Sequence, residues 1–347
     1  MDFISLDVGT YSSVERRIYR IEFIIHIEFY YFVSVKCEVR NMSEGKEDMN
    51  TFCASCGIAG GDDTKLKKCT ACCLVRYCSV KCQKDHRPKH KKECKKRAAE
   101  LKDEILFKQP EGNHWGDCPI CCLPLPFDDQ NSALYPCCSK RICRGCNFAK
   151  IKREIEGNLV QKCPFCRKAT PNTDEEADGQ RMKRIEANNP VAICQMGAIK
   201  CAEGDYESAF EHYSRAAALG DVMAHFQLSC LYREGKGVEK DEKRSLHHVE
   251  QAAIGGHPSA RCNLGNVEMR KGQFGRAGKH YIIAAKLGVN RSLEAVKDLC
   301  KSGHVSKEDF ESALRGYQAA IDATKSPQRE EALAFAKWAA ESGSGAL

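Results

Sequence analysis

The segment that organises this chain runs Cys53-Ala54-Ser55-Cys56, then Cys69-Thr70-Ala71-Cys72-Cys73-Leu74-Val75-Arg76-Tyr77-Cys78-Ser79-Val80-Lys81-Cys82, then His90-Lys91-Lys92-Glu93-Cys94. Its order is C-x2-C, C-x2-C-x5-C-x3-C and H-x3-C. A structural zinc ion takes four Cys or His ligands, and a pair two or three residues apart lets one knuckle or helical turn offer two donors to one ion. Cys53, Cys56, Cys69, Cys72, Cys78, Cys82, His90 and Cys94 therefore supply two complete tetrahedral sites, with Cys73 and His86 to spare.

The run from Cys72 to Gln83, followed by His90 to Cys94, resembles the MYND zinc finger. The resemblance implies an interleaved arrangement, with Cys53, Cys56, Cys78 and Cys82 on one zinc and Cys69, Cys72, His90 and Cys94 on the other. It also implies docking of short proline-rich peptides. Arg87 stands where the family usually has tryptophan.

A second cysteine block comprises Cys118-Pro119-Ile120-Cys121, Cys137-Cys138, Cys143-Arg144-Gly145-Cys146 and Cys163-Pro164-Phe165-Cys166-Arg167. It resembles an all-cysteine or degenerate RING finger. That resemblance places Cys118, Cys121, Cys143 and Cys146 on one zinc and Cys137, Cys138, Cys163 and Cys166 on another. Lys140 occupies the position where a RING usually has histidine, so adjacent Cys137 and Cys138 must both reach one ion. RING fingers recruit ubiquitin-conjugating enzymes through positions matched here by Ile120, Pro164 and Arg167. The competing reading is a purely structural zinc module. In both blocks the ligands saturate the metal, whereas a catalytic zinc keeps a position open. Zinc here supplies folding free energy, on the order of 10 kcal/mol per site. A SET-type methyltransferase is disfavoured, since neither an Asn-His-Ser-Cys nor a Gly-Glu-Glu-Leu run is present.

The other eight of the 23 cysteines are scattered, at Cys37, Cys73, Cys122, Cys194, Cys201, Cys230, Cys262 and Cys300. Neither pairing throughout nor a secretory signal is evident, so a reducing cytoplasmic or nuclear compartment is expected.

After about residue 180 the sequence repeats itself. Arg215-Ala216-Ala217-Ala218-Leu219-Gly220, Gln251-Ala252-Ala253-Ile254-Gly255-Gly256 and Ile283-Ala284-Ala285-Lys286-Leu287-Gly288 start 36 and then 32 residues apart. Gln195-Met196-Gly197, Gln227-Leu228-Ser229 and Asn263-Leu264-Gly265 recur in step. Such self-similarity signals stacked units that bury a core only together. The copy from Asp221 to Gly256, with Ala224, Leu228, Tyr232, Gly235-Lys236-Gly237-Val238, Asp241 and Ala252-Ala253, resembles a Sel-one-like repeat, a relative of the tetratricopeptide repeat. The resemblance implies a protein-binding scaffold of antiparallel helix pairs. Asn189-Pro190 marks its start, Asn as cap and Pro as first helical residue. Tyr206, Tyr213 and Tyr281 are expected to pack between helices.

Residues 18–35 are aromatic and β-branched, but Arg20, Glu22, His26 and Glu28 interrupt them too often for a membrane span or a signal peptide. Met42 or Met49 is an alternative start. The net charge of +7 is concentrated between Lys84 and Lys102. That cluster reads either as a nuclear-targeting or nucleic-acid patch, or as the solvated face of the helix leaving the MYND segment; the second is favoured, because interleaved aromatics are absent.

The expected architecture is multidomain, two small zinc-stabilised modules (MYND and RING-like) followed by an all-α helical-repeat solenoid. Its parts are an N-terminal extension (1–50), a MYND finger (51–95), a basic helical linker (96–115), a RING-like finger (116–170), a polar linker (171–187), Sel-one-like repeats (188–325), and a C-terminal capping helix and tail (326–347). The expected function is a zinc-binding protein-interaction adaptor with two zinc ions in each finger and protein partners for the MYND finger and repeats. The alternative is a RING-type ubiquitin ligase. Neither nucleic acid nor membrane is expected as a partner.

Overall fold

The computed structural model describes residues 51–61 and 64–342, and these fall into two compact units that meet in sequence at Ile105 and Leu106. The N-terminal extension and its alternative starts lie outside the described residues.

The first unit has little regular structure apart from strands β1 (Lys67–Lys68) and β2 (Arg76–Tyr77), which pair antiparallel, and helix α1 (Val80–Leu106), whose last residue opens the second unit. Its core consists of Cys53, Cys69, Cys72 and Tyr77, with Leu66, Val75, Cys78, Cys82 and Cys94 against them. The Ser79 hydroxyl starts α1 by accepting from the Cys82 backbone N–H at 3.2 Å. The basic residues from Lys84 onward lie on this helix, where Arg97 reaches Glu100 and Glu104 on the solvated face.

In the second unit, hairpin β3 (Ser132–Tyr135) and β4 (Lys140–Cys143) runs directly into α2 (Arg144–Glu156), forming the second cysteine-rich finger. Leu125, Tyr135 and Ile142 are its apolar core, wrapped by Cys118, Cys137, Cys143, Cys146 and Cys163.

The stretch expected as a polar linker folds instead as helix α3 (Asp174–Glu186). Its signal is a capping box, in which the Thr173 hydroxyl accepts from the Glu176 N–H at 3.2 Å and the Glu176 carboxylate accepts from the Asn172 N–H at 2.9 Å. Asp174, Glu175 and Glu176 in the first turn and Lys183 and Arg184 in the last complement the helix dipole.

Four antiparallel helix pairs follow: α4 (Pro190–Ala202) with α5 (Tyr206–Ala218), α6 (Val222–Glu234) with α7 (Glu242–Ile254), α8 (Pro258–Arg270) with α9 (Phe274–Lys286), and α10 (Asn290–Lys301) with α11 (Lys307–Ala323). The caps repeat with the register. Asn189, Asp221 and His257 each accept from a backbone N–H three residues on, at 3.1, 2.7 and 3.2 Å.

Within a pair, the closest approach is governed by complementary side-chain size. A Cβ on Gly197 would stand 2.8 Å from two ring carbons of Tyr213, and Gly265 meets the Tyr281 ring in the same way. The intervening repeat has Ser229 and Val249 at the corresponding sequence positions, a larger first-helix residue with a smaller second-helix one. Tyr213 and Tyr281 are buried between helices, as expected for core residues, while Tyr206 is partly buried with Lys236 over its ring.

The last helix, α12 (Pro327–Ser342), has the finger helix α2 as its principal neighbour. Phe335 meets Phe148, Lys152 pairs with Glu331 at 2.9 Å, and Arg329 lies over Gly145.

Two buried imidazoles join α6 to α7: His225 Nδ1 and His248 Nδ1 are 3.0 Å apart, and the His248 ring stacks on Tyr232. Burial first, then neighbouring charge, depresses them, His225 to about 4 and His248 to about 2. Both are neutral in the folded state at pH 7 and bind a proton more readily when unfolded. Stability is therefore fully present above pH 6.5 and falls as pH drops through 4, by about 1.4 kcal/mol per pH unit for each histidine. The urea midpoint followed by helical circular dichroism should decline over that range, with a shallower slope in His248→Asn. Gly197→Ala should lower the same midpoint at pH 7 by the equivalent of about 1–3 kcal/mol, because the new methyl displaces the Tyr213 ring.

Candidate metal centres

Four knuckles share one backbone design. Cys53, Cys69, Cys118 and Cys163 each donate their N–H to a carbonyl five or six residues on (Ile58, Val75, Leu123 and Lys168), and the carbonyl of each of these four cysteines accepts from the residue just after the second cysteine. Those following residues, Gly57, Cys73, Cys122 and Arg167, all take left-handed backbone with φ of 76°, 57°, 55° and 59°. The turn aims the intervening N–H groups at the first sulfur. Burial raises the Cys53 thiol, but the N–H groups of Cys56, Cys78 and Ser55 outweigh it and hold it at about 6. By the same opposition Cys69 and Cys118 sit at about 7, and Cys163 below its ordinary value. Among the other sulfurs, Cys72, Cys138, Cys143 and Cys146 are raised by burial first and Cys78 by its neighbours Cys82 and Cys56. Each knuckle thus presents one thiol ready to ionise.

The structure brings the candidate ligands into four tetrads: Cys53, Cys56, Cys78, Cys82; Cys69, Cys72, His90, Cys94; Cys118, Cys121, Cys143, Cys146; and Cys137, Cys138, Cys163, Cys166. Within each, all donor atoms lie within 4.8 Å of one another. Zinc–sulfur bonds of about 2.3 Å at tetrahedral angles give a sulfur–sulfur edge of about 3.8 Å. Cys56 to Cys78 is 3.6 Å, Cys78 to Cys82 3.5 Å, Cys69 to Cys94 3.8 Å, Cys121 to Cys143 3.8 Å, Cys138 to Cys163 3.6 Å and Cys137 to Cys166 3.3 Å. The Cys72 sulfur and His90 Nε2 are 3.2 Å apart. These edges and the all-Cys or Cys3His donor sets fit Zn2+. Four donors per tetrad leave no protein-defined vacancy for a substrate.

Different elements deliver the second pair to each knuckle. Cys78 precedes α1 and Cys82 lies in its first turn, whereas His90 and Cys94 occupy one face of α1 four residues apart. Cys143 ends β4 and caps α2, with its sulfur accepting from the Cys146 N–H at 3.4 Å. Cys137 and Cys138 sit in the β3–β4 turn, where the Tyr135 carbonyl accepts from both Cys138 and Ser139. A strand would send adjacent side chains to opposite faces; this turn lets both converge. Lys140, in the place of the usual histidine, lies over the Phe165 ring at 4.7 Å.

Neither spare residue joins a tetrad. His86 Nδ1 lies 3.0 Å from the Tyr77 hydroxyl, and its ring stacks on His90. Cys73 is the left-handed residue of its knuckle. Arg87 is exposed on α1. Ile120, Pro164 and Arg167 are all exposed, Ile120 to 45%.

No local sequence signal announces how the repeats grip residues 106–116. Arg261 on α8 is fully buried and donates to the Leu106 carbonyl at the end of α1, with a second hydrogen bond to the Lys108 carbonyl at 3.4 Å. Phe107 packs on His280 beneath Arg276 and Lys279, and the His114 ring stacks on His257, which stacks on Phe226. The expected helical linker therefore ends at Leu106, where Arg261 satisfies carbonyls that the helix leaves open.

Comparison with known proteins agrees with two of these regions. The family model described as MYND finger matches residues 53–94, and that described as Sel1 repeat matches residues 191–221 and 222–257. The chain carries a MYND finger and Sel1 repeats. Among solved structures it is similar to a Sel1 repeat protein from Oxalobacter formigenes, with 25% identity over 52% of this chain and 80% of that one and a TM-score of 0.38. It is also similar to a protective antigen with an SLR fold from uropathogenic Escherichia coli, with 24% identity over 51% of this chain and 38% of that one and a TM-score of 0.36.

Native mass spectrometry of the full chain should show four zinc ions, one per tetrad. Cys138→Ser should reduce the count to three, with the other tetrads still loaded.

Proposed function

We propose that this chain is a zinc-stapled protein-interaction adaptor in which the sixteen tetrad residues hold four zinc ions. The observation that carries this reading is coordinative saturation. Every tetrad offers four protein donors, so the metal builds surface rather than chemistry. The MYND finger presents Phe52, Ile58, Leu74 and Val80 to solvent, an apolar set suited to a short proline-rich peptide. The repeats supply a second recognition surface. Among the described residues no helix is long and apolar enough to cross a membrane.

A second reading is a RING-type ligase. Its support is the exposure of Ile120, Pro164 and Arg167 on the second finger, the positions through which such fingers meet a conjugating enzyme. One experiment separates the two. The zinc-loaded full chain is mixed with a panel of ubiquitin-charged conjugating enzymes, and separately with a panel of fluorescent proline-rich peptides. An adaptor binds peptides in a chelator-sensitive manner and leaves the charged enzymes intact. Discharge abolished by Ile120→Ala establishes the ligase instead, and peptide binding that survives chelation removes the MYND finger as the reader.

A further inference from the structure

Arg329, on α12, is 6% exposed, and its guanidinium is spent on the finger. Nη1 donates to the carbonyls of Pro124 and Thr324, both at 2.8 Å. Nη2 donates to the Leu123 carbonyl at 3.2 Å and to the Cys121 sulfur at 3.4 Å. No carboxylate pairs with it among the described residues. A buried cation left in this state is costly, because carbonyl dipoles replace only part of its hydration. A Zn2+ ion with four thiolates carries a net charge of −2, and a charge-assisted N–H···S bond to one of them supplies the missing counter-charge.

The backbone repeats the message. Gly145 lies between ligands Cys143 and Cys146, and a Cβ there would stand 2.8 Å from the Arg329 nitrogen and 2.9 Å from its Cα. Helix α12 therefore rides directly on the first turn of α2, whose start supplies half of the tetrad. In the other finger tetrad, Cys166 is exposed.

We propose that Arg329 is the outer-sphere partner of the zinc bound by Cys118, Cys121, Cys143 and Cys146, so that loading of this site and docking of α12 are one linked equilibrium. Outer-sphere partners of metal ligands tune affinity by about 10- to 100-fold. Linkage makes the effect reciprocal: zinc holds the helix as firmly as the helix holds zinc.

The test uses the full chain loaded with zinc, and in parallel with 113Cd. Arg329→Met removes the cation while keeping much of the apolar stem. Under 4-(2-pyridylazo)resorcinol one zinc of the four should leave about 10- to 100-fold faster than in the parent, a single 113Cd resonance should shift, and amides of Pro327–Ser342 should lose hydrogen-exchange protection. Arg329→Lys, which keeps the charge and loses the two-pronged geometry, should shift the same resonance and release that zinc at an intermediate rate. If Arg329→Met does not fold, the lysine variant decides. Loss of protection in α12 with zinc release and 113Cd resonances unchanged would mean that Arg329 only docks the helix, and would overturn the proposal. Equal acceleration at all four sites would overturn it too.

Discussion

Four clusters of sulfur and imidazole do for the zinc modules what an apolar interior does for larger domains. Among the described residues of the first unit, the buried side chains are Tyr77 and His90 alongside Cys53, Cys69 and Cys72. Such a core cannot offset the conformational entropy of ordering its loops. Metal–ligand bonds close that gap, and the knuckles are shaped in advance to receive them, each with its inward-facing amides and its left-handed residue. Where that residue is not glycine, as at Cys73, Cys122 and Arg167, the backbone carries a modest strain that the metal offsets.

The repeats reach stability by a different route. They contain no metal tetrad among the described residues, and their cohesion comes from small residues that let helices close on one another. Ala209, Ala216, Ala224, Ala252, Ala260, Ala277, Ala284 and Ala285 are all fully buried. In two of the pairs a glycine makes room for a tyrosine ring, Gly197 for Tyr213 and Gly265 for Tyr281. Buried histidines add polar specificity to that apolar scaffold, and they make it sensitive to protons.

How much of this was legible in the sequence follows from the range of each signal. Ligand spacing is local and discrete, so the fifteen cysteines and one histidine that meet in the tetrads could be named from their order alone. The repeat register was equally plain, because alanine and glycine recur at fixed intervals. Helix α3 carried a readable signal in Thr173 and Glu176 that its acidity obscured; charge suggested a linker where the capping box specifies a helix. The attachments of Arg261 to Leu106 and of Arg329 to Cys121 were not legible, since each is a lone arginine whose partner lies more than 150 residues away, at separations of 155 and 208. No local pattern encodes a contact of that range.

That last separation bears on how the molecule is made. Chains emerge from the ribosome N-terminus first, and contacts between distant segments form late. The second finger can gather its cysteines once residue 166 has emerged, yet one flank, at Gly145 and Phe148, stays bare until α12 arrives. A nascent or prematurely ended chain therefore displays an apolar surface on a metal-loaded finger that the finished protein conceals. The interval between the emergence of residue 166 and of α12 is thus one in which this flank of the finger is open to solvent.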